Sequence, residues 1–223
     1  MAVTRITGAV VEDDPVTSTF ADLASVAVGD LITVCLPRGL GDLPSSVSSD
    51  LDGALTQELT FTGNFRVSVF TLVAITAGTH RVTVSYAGGP ETIVAFFDVW
   101  RGAQTTTNEE SAGDTNSSAT PGHGTLGISG AGLILCVGCV GGGSGGYTGP
   151  GGGFTTDTAP GGRGWRLYKI ATGAETPSNV GSFVSSASWD GTGVSYLQSA
   201  EDVDLQALAR GFGRGFSEGL HTP

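Results

Sequence analysis

THRVTVSYAGGPETIVAFFDVW, residues 79–100, decides the fold class. Its first half alternates. Val82, Val84 and Tyr86 fall on one side of an extended chain, and Arg81, Thr83 and Ser85 on the other, because successive strand side chains point to opposite faces. That pattern is a half-buried antiparallel strand, apolar inward and polar toward water. The second half, ETIVAFFDVW, is almost continuously apolar, and so is GLILCVGCV at 132–140. Such runs belong to central strands or to strands covered on both faces.

The same two patterns recur along the chain. Strands are predicted over Val3–Val11, Leu31–Leu36, Ser46–Asp50, Leu55–Phe61, Arg66–Ile75, His80–Tyr86, Thr92–Arg101, Thr125–Ile128, Leu133–Val140, Trp165–Thr172, Phe183–Trp189 and Gly193–Gln198. Gly, Pro, Asp and Asn punctuate them; Asp52-Gly53 and Thr76-Ala77-Gly78-Thr79 read as hairpin turns. No strand–helix–strand alternation suggests a doubly wound sheet. Composition agrees: of 223 residues, 37 are Gly and one is Met, a mix that favours strands joined by many turns. The expectation is an all-β, antiparallel, two-sheet sandwich, jelly-roll-like, filling residues 1–199.

Three segments depart from the strand pattern. Residues 103–124 are polar and residues 141–164 are Gly-rich, and both are predicted as long loops serving as contacts or as an outward surface. Residues 200–223 form a short helical or extended arm. Glu201 and Asp202 suit a first helical turn, Arg210 a last one, and Gly211 a stop. Beyond it Phe212, Phe216 and Leu220 recur every four residues. Such apolar groups are costly to leave in water, so they are candidates for docking on a partner, together with Tyr147 and Phe154 in the glycine-rich segment.

The formal net charge of −11 argues against nucleic-acid binding through a basic surface. The N-terminus, MAVTRITGAVVEDDP, lacks the basic and apolar regions of a secretory signal, and no run reaches the roughly 18 apolar residues of a membrane helix. Synthesis in a cytoplasm, without membrane association, is expected.

CVGCVGGGSGGYTGPGGGF, residues 136–154, carries three chemical patterns at once. In a strand, Cys136 and Cys139 lie on opposite faces, roughly 10 Å apart at about 3.3 Å per residue, beyond the roughly 7 Å reach of a disulfide. No second pair completes a zinc site, so these two and Cys35 are expected as free, core-packed thiols. Gly141, Gly143 and Gly146 match a dinucleotide fingerprint, and Ser144 a nucleophile elbow. Both need a helix next, and YTGPGGGFTT cannot supply one. His123 has no evident catalytic partner. Neither catalytic residues, nor a cofactor, nor a metal is expected. Asp50 and Asp52 are the best calcium candidates, ahead of Glu12-Asp13-Asp14 and Asp202/Asp204, although such clusters are usually turn chemistry and solvation. Trp100, Trp165 and Trp189 can close the core or, exposed on a sheet, stack on sugars.

One resemblance adds to this. GDLITVCLPRG, SSVSSDLDGALTQ, the run 65–102, GLILCVGCV and the run 164–199 follow one another in an order similar to a jelly-roll-like β-sandwich module of tailed-bacteriophage virion proteins and bacterial surface proteins. YKIATGAETPS (168–178) and SASW (186–189) are its most specific parts. The resemblance spans roughly residues 25–199 and carries no catalytic motif. It implies a structural virion protein, first of all a capsid decoration protein on the particle surface, bound to major capsid or tail proteins. It also implies a homo-oligomer, a trimer being the state suited to threefold sites. A tail-associated or surface glycan-binding adhesin is the alternative.

Overall fold

A computed structural model describes residues 1–38, 43–88, 91–103, 110–141 and 146–199. No helix occurs among them. The first nine strands are β1 (Thr4–Val16), β2 (Ser18–Val26), β3 (Leu31–Arg38), β4 (Ser46–Ser49), β5 (Gly53–Ala54), β6 (Thr56–Thr62), β7 (Arg66–Val73), β8 (Gly78–Ser85) and β9 (Glu91–Arg101). They build two sheets, in the orders β1-β9-β3-β7-β6 and β2-β8-β4-β5. The pairs β1–β9, β2–β8, β3–β7 and β4–β5 are all antiparallel. They are the rungs of one long hairpin, wound so that successive rungs fall in alternate sheets. That winding is a jelly roll, and β6 extends one edge of it.

The second half supplies β10 (Glu110–Ser118), β11 (Ala131–Val140), β12 (Tyr147–Thr148), β13 (Thr155–Thr158), β14 (Gly164–Thr172), β15 (Ser182–Phe183) and β16 (Ala187–Leu197). Five of these form a third antiparallel sheet, β10-β16-β11-β14-β13, while β12 and β15 pair as a small ribbon. The expected antiparallel sandwich is present, and it has a third layer.

The continuous apolar runs are explained by that layer. On β9, Ile93, Ala95, Phe97 and Val99 enter the core inside the jelly roll. Val94, Phe96 and Trp100 enter a second core, shared with Leu133, Leu135, Val137 and Cys139 of β11. The sheet containing β9 is therefore the middle of the stack. On β11 the other side chains, Ile134, Cys136 and Val140, reach a third core on the outer face of the third sheet. By contrast β8 lies in an outer sheet, and only the side carrying His80, Val82 and Val84 is buried. Burying each large apolar side chain stabilises the fold by roughly 1.5–3 kcal/mol.

Charges also join the layers. Asp98 on β9 and Arg166 on β14 have no exposed side-chain surface, and they are in direct contact between the middle and third sheets. Arg5 Nε donates to Asp98 Oδ1 at 2.7 Å, and Asp157 of β13 contacts Arg166 as well. Burial, and then the neighbouring Arg5 charge, lower the Arg166 guanidinium to about 10, so it stays charged at neutral pH. A second tie is Asp190 of β16, whose carboxylate accepts the N–H groups of Gly63, Asn64 and Phe65 at 2.9, 3.0 and 2.6 Å. It clamps the β6–β7 turn to the third sheet.

Several expectations shift. Two long strands, β2 and β10, lie where none is predicted, and residues 110–118 make an edge strand out of much of the expected 103–124 loop. The 141–164 segment contains β12 and β13. Thr125–Ile128 is coil, held by one bridge from Ile128 to Glu175. The two strands expected at 183–198 are largely one, β16. The arm at 200–223, with Phe212, Phe216 and Leu220, lies outside the described residues.

Candidate functional site

The outer face of the third sheet is covered by irregular chain, residues 119–130 and 173–186, together with the β12–β15 ribbon. Small residues on β16 allow the close approach. A Cβ on Gly191 would lie 2.2 Å from the Gly122 carbonyl oxygen, and one on Gly193 2.8 Å from Leu126 Cδ2. Trp165 anchors this cover. Its ring stacks on Tyr147 at 4.5 Å and 16°, and meets Phe183 edge-on at 5.4 Å. Trp165 Nε1 donates to His123 Nε2 at 2.9 Å. The opposite nitrogen, Nδ1, donates to the Asn179 carbonyl at 3.1 Å. His123 is thus used as a neutral ring, accepting on one side and donating on the other. Burial lowers it to about 4, against a smaller upward effect of the Asn179 bond.

Two stretches of this cover face each other across a cleft of about 450 Å³, lined by Asp114, Gly122, Gly124, Thr125, Leu126 and Thr176 to Val180. Its walls are tied together. Ile128 and Glu175 exchange backbone hydrogen bonds at 2.9 Å each, and Gly181 N donates to the Pro121 carbonyl at 2.8 Å. Between them Asn179 Nδ2 donates to the Gly124 carbonyl at 2.9 Å. Gly124 has φ of +76°, and a Cβ there would meet Ala112 Cβ at 2.8 Å, so this bend needs glycine.

Of the two roles open to the three tryptophans, the structure gives them the core. Trp100, Trp165 and Trp189 are at most 1% exposed. Their indole N–H groups bond inside the protein, Trp100 to Thr33 Oγ1 at 3.0 Å and Trp189 to Ser118 Oγ at 3.1 Å. Three-layer stacking puts them in the cores, and none of them offers a face to a sugar. Tyr147 and Phe154, expected as partner contacts, are brought together on the outer core, where both are half-buried; Phe154 lies 6.0 Å from the Lys169 ammonium.

The cysteines separate as strand geometry requires: Cys136 faces the third core, Cys139 the second. All three thiols are free and buried, and burial raises Cys35 and Cys139 to about 12 and Cys136 further still. After Gly146 comes strand β12; Gly143 and Ser144 lie outside the described residues. Asp50 accepts the Arg81 N–H at 2.8 Å, and Asp52 those of Ile75 and Thr76 at 2.8 and 3.2 Å. Burial raises the Asp52 carboxyl, but the Thr76 and Ile75 hydrogen bonds and nearby His80 outweigh it and lower it. Among the described residues, no group of three or more His, Cys, Asp or Glu is placed to hold a metal ion.

Asp98, Arg166 and Asn179 are polar groups that sequence reading passes over, and His123 is one that it weighs only as a catalytic residue. Asp98 and Arg166 had a signal: each is a lone charge inside an apolar window, FFDVW and WRL. His123 and Asn179 had none, because they sit in segments without periodicity. Comparison with protein-family models, with curated proteins and with solved structures finds no match.

Proposed function

We propose that this protein is a structural component of a tailed-bacteriophage virion, seated on the assembled head as a decoration protein. The observation that carries this reading is the apolar tip of the jelly roll. Val28, Leu51 and Ile75 are 66%, 45% and 72% exposed. They sit on three turns that hydrogen bonds hold side by side. Gly29 N donates to the Ala74 carbonyl at 2.7 Å, and Ile75 N to Asp52 at 2.8 Å. Single exposed apolar side chains need no explanation, but three on turns joined by hydrogen bonds suit a contact surface. Repeated over a symmetric shell, one weak contact per copy accumulates into firm attachment.

Cryo-EM of purified particles tests this. Density for the three-layer fold on the head, with this tip against the shell, is the expected result. Replacing Val28, Leu51 and Ile75 by Asp should leave the fold intact and abolish attachment. Density on the tail alone would move the role there, and absence from particles would end the virion reading. The alternative, a glycan-binding surface protein, draws on the cleft rather than the tryptophans.

A further inference from the structure

We infer that the cleft between residues 121–126 and 176–180 binds a hexose unit of a neutral glycan. This goes beyond the virion reading and is independent of it, since a decoration protein and an adhesin can both present such a cleft.

The ligand class follows from the lining. Among the described residues that line it none is Lys or Arg, and Asp114 is the sole carboxylate, so a phosphate or other anion meets repulsion without compensation from them. A single carboxylate also gives a hard cation little charge, and affinity for such ions depends on the charge of the ligand set. What remains is polar and uncharged: Thr125, Thr176, Ser178 and Asn179, interleaved with Leu126, Pro177 and Val180. Hydroxyl, amide and carboxylate groups beside aliphatic carbon match a pyranose, whose edge carries hydroxyls and whose face carries C–H groups.

The cleft is built before any ligand arrives. Its walls are clamped at Ile128–Glu175, at Gly181–Pro121 and at Asn179–Gly124, so little ordering is left for binding. Its size lies within the range typical of small-molecule sites, about 300–1,000 Å³. Gly122 is part of its wall. A Cβ there would point between Val180 Cγ2 at 3.6 Å, Asp114 Oδ2 at 3.8 Å and Asn179 Oδ1 at 4.0 Å. Those are ordinary contact distances, so Ala is accommodated, whereas a longer side chain fills the space a sugar would occupy. Asp114 Oδ1 already accepts the Thr115 N–H at 2.8 Å, which fixes the carboxylate and presents Oδ2 across the cleft.

The test uses the full chain on an array of neutral and charged glycans that includes bacterial surface polysaccharides. Backbone amide NMR titration with the component monosaccharide of the best binder follows. Expected are binding to neutral glycans and shifts at Thr125, Thr176, Ser178 and Val180. Gly122→Leu should abolish both, Gly122→Ala should keep them, and the exposed Asp114→Asn should weaken binding at least tenfold without changing the fold. No binding on the array, shifts located elsewhere, a preference for anionic glycans, or binding retained by Gly122→Leu would each overturn the inference. Every one of those outcomes leaves particle attachment through the tip untouched.

Discussion

Arg166 and Asp98 meet between two sheets, and neither side chain reaches solvent. The pair closes the seam between the jelly roll and the third sheet, beside the core that holds Phe96, Trp100 and Leu135. Asp98 keeps Arg5 when Arg166 is removed, but one buried positive charge is lost and Asp157 loses a partner. Breaking such a pair from one side costs about 3–5 kcal/mol. Arg166→Met should therefore destabilise by about that much in urea unfolding. Asp98→Asn should behave similarly, and the double variant should lose less than the sum of the two. Additive losses would mean that the two side chains act independently.

Asp190 gives a local counterpart. Its carboxylate receives three consecutive backbone N–H groups from the β6–β7 turn. Asp190→Asn keeps the shape, removes the charge and turns an N–H donor toward N–H donors. A loss of about 2–3 kcal/mol is expected, and amide hydrogen exchange at Asn64 and Phe65 should accelerate more than exchange in β11. Unchanged exchange at those two amides would show that the turn is held by something else.

How far these features were legible depends on what surrounds each strand. β9 and β11 announced themselves because both faces are covered, so nearly every residue is apolar. β8 was equally plain, since one face meets water. β2 was hidden: its inward residues include Thr19 and Ala21, and Phe20 faces outward at 50% exposure beneath Arg81, which inverts the usual alternation. β10 was hidden too, because an edge strand of ESAGDTNSS, with Gly113 to Ser117 exposed, has no apolar face to show. A third layer could be guessed only from the number of doubly buried runs. The cleft could not be guessed at all, since coil segments far apart in sequence meet there without a shared pattern.

The thiols offer a prediction that depends only on burial. Cys35 and Cys139 are raised to about 12, Cys136 further, and none is more than 4% exposed. The thiolate is the nucleophile, so the folded protein should not react with a disulfide thiol reagent at pH 8, while guanidinium should release three equivalents, matching the three cysteines. Rapid labelling of the native protein would mean that the second or third core opens readily.

Acid should loosen the cover over the third sheet before it affects the carboxylates. His123 works as a neutral ring, and burial lowers it from an ordinary 6.5 to about 4. As pH falls below about 6.5, the unfolded chain takes up a proton that the folded chain refuses. The stability is therefore fully present above that pH, declines as pH falls, and levels off below about 4. At about 1.4 kcal/mol per pH unit the full loss is about 3 kcal/mol. Asp22 and Asp52, whose carboxyls lie below the ordinary 3.8, lose their contributions only at lower pH, so the windows separate. Urea midpoints measured from pH 7.5 to 4.5 should fall in the wild type. In His123→Gln, where the amide oxygen can still accept from Trp165, the protein should be weaker at pH 7.5 but its slope over that range shallower. Equal slopes would place the acid sensitivity elsewhere.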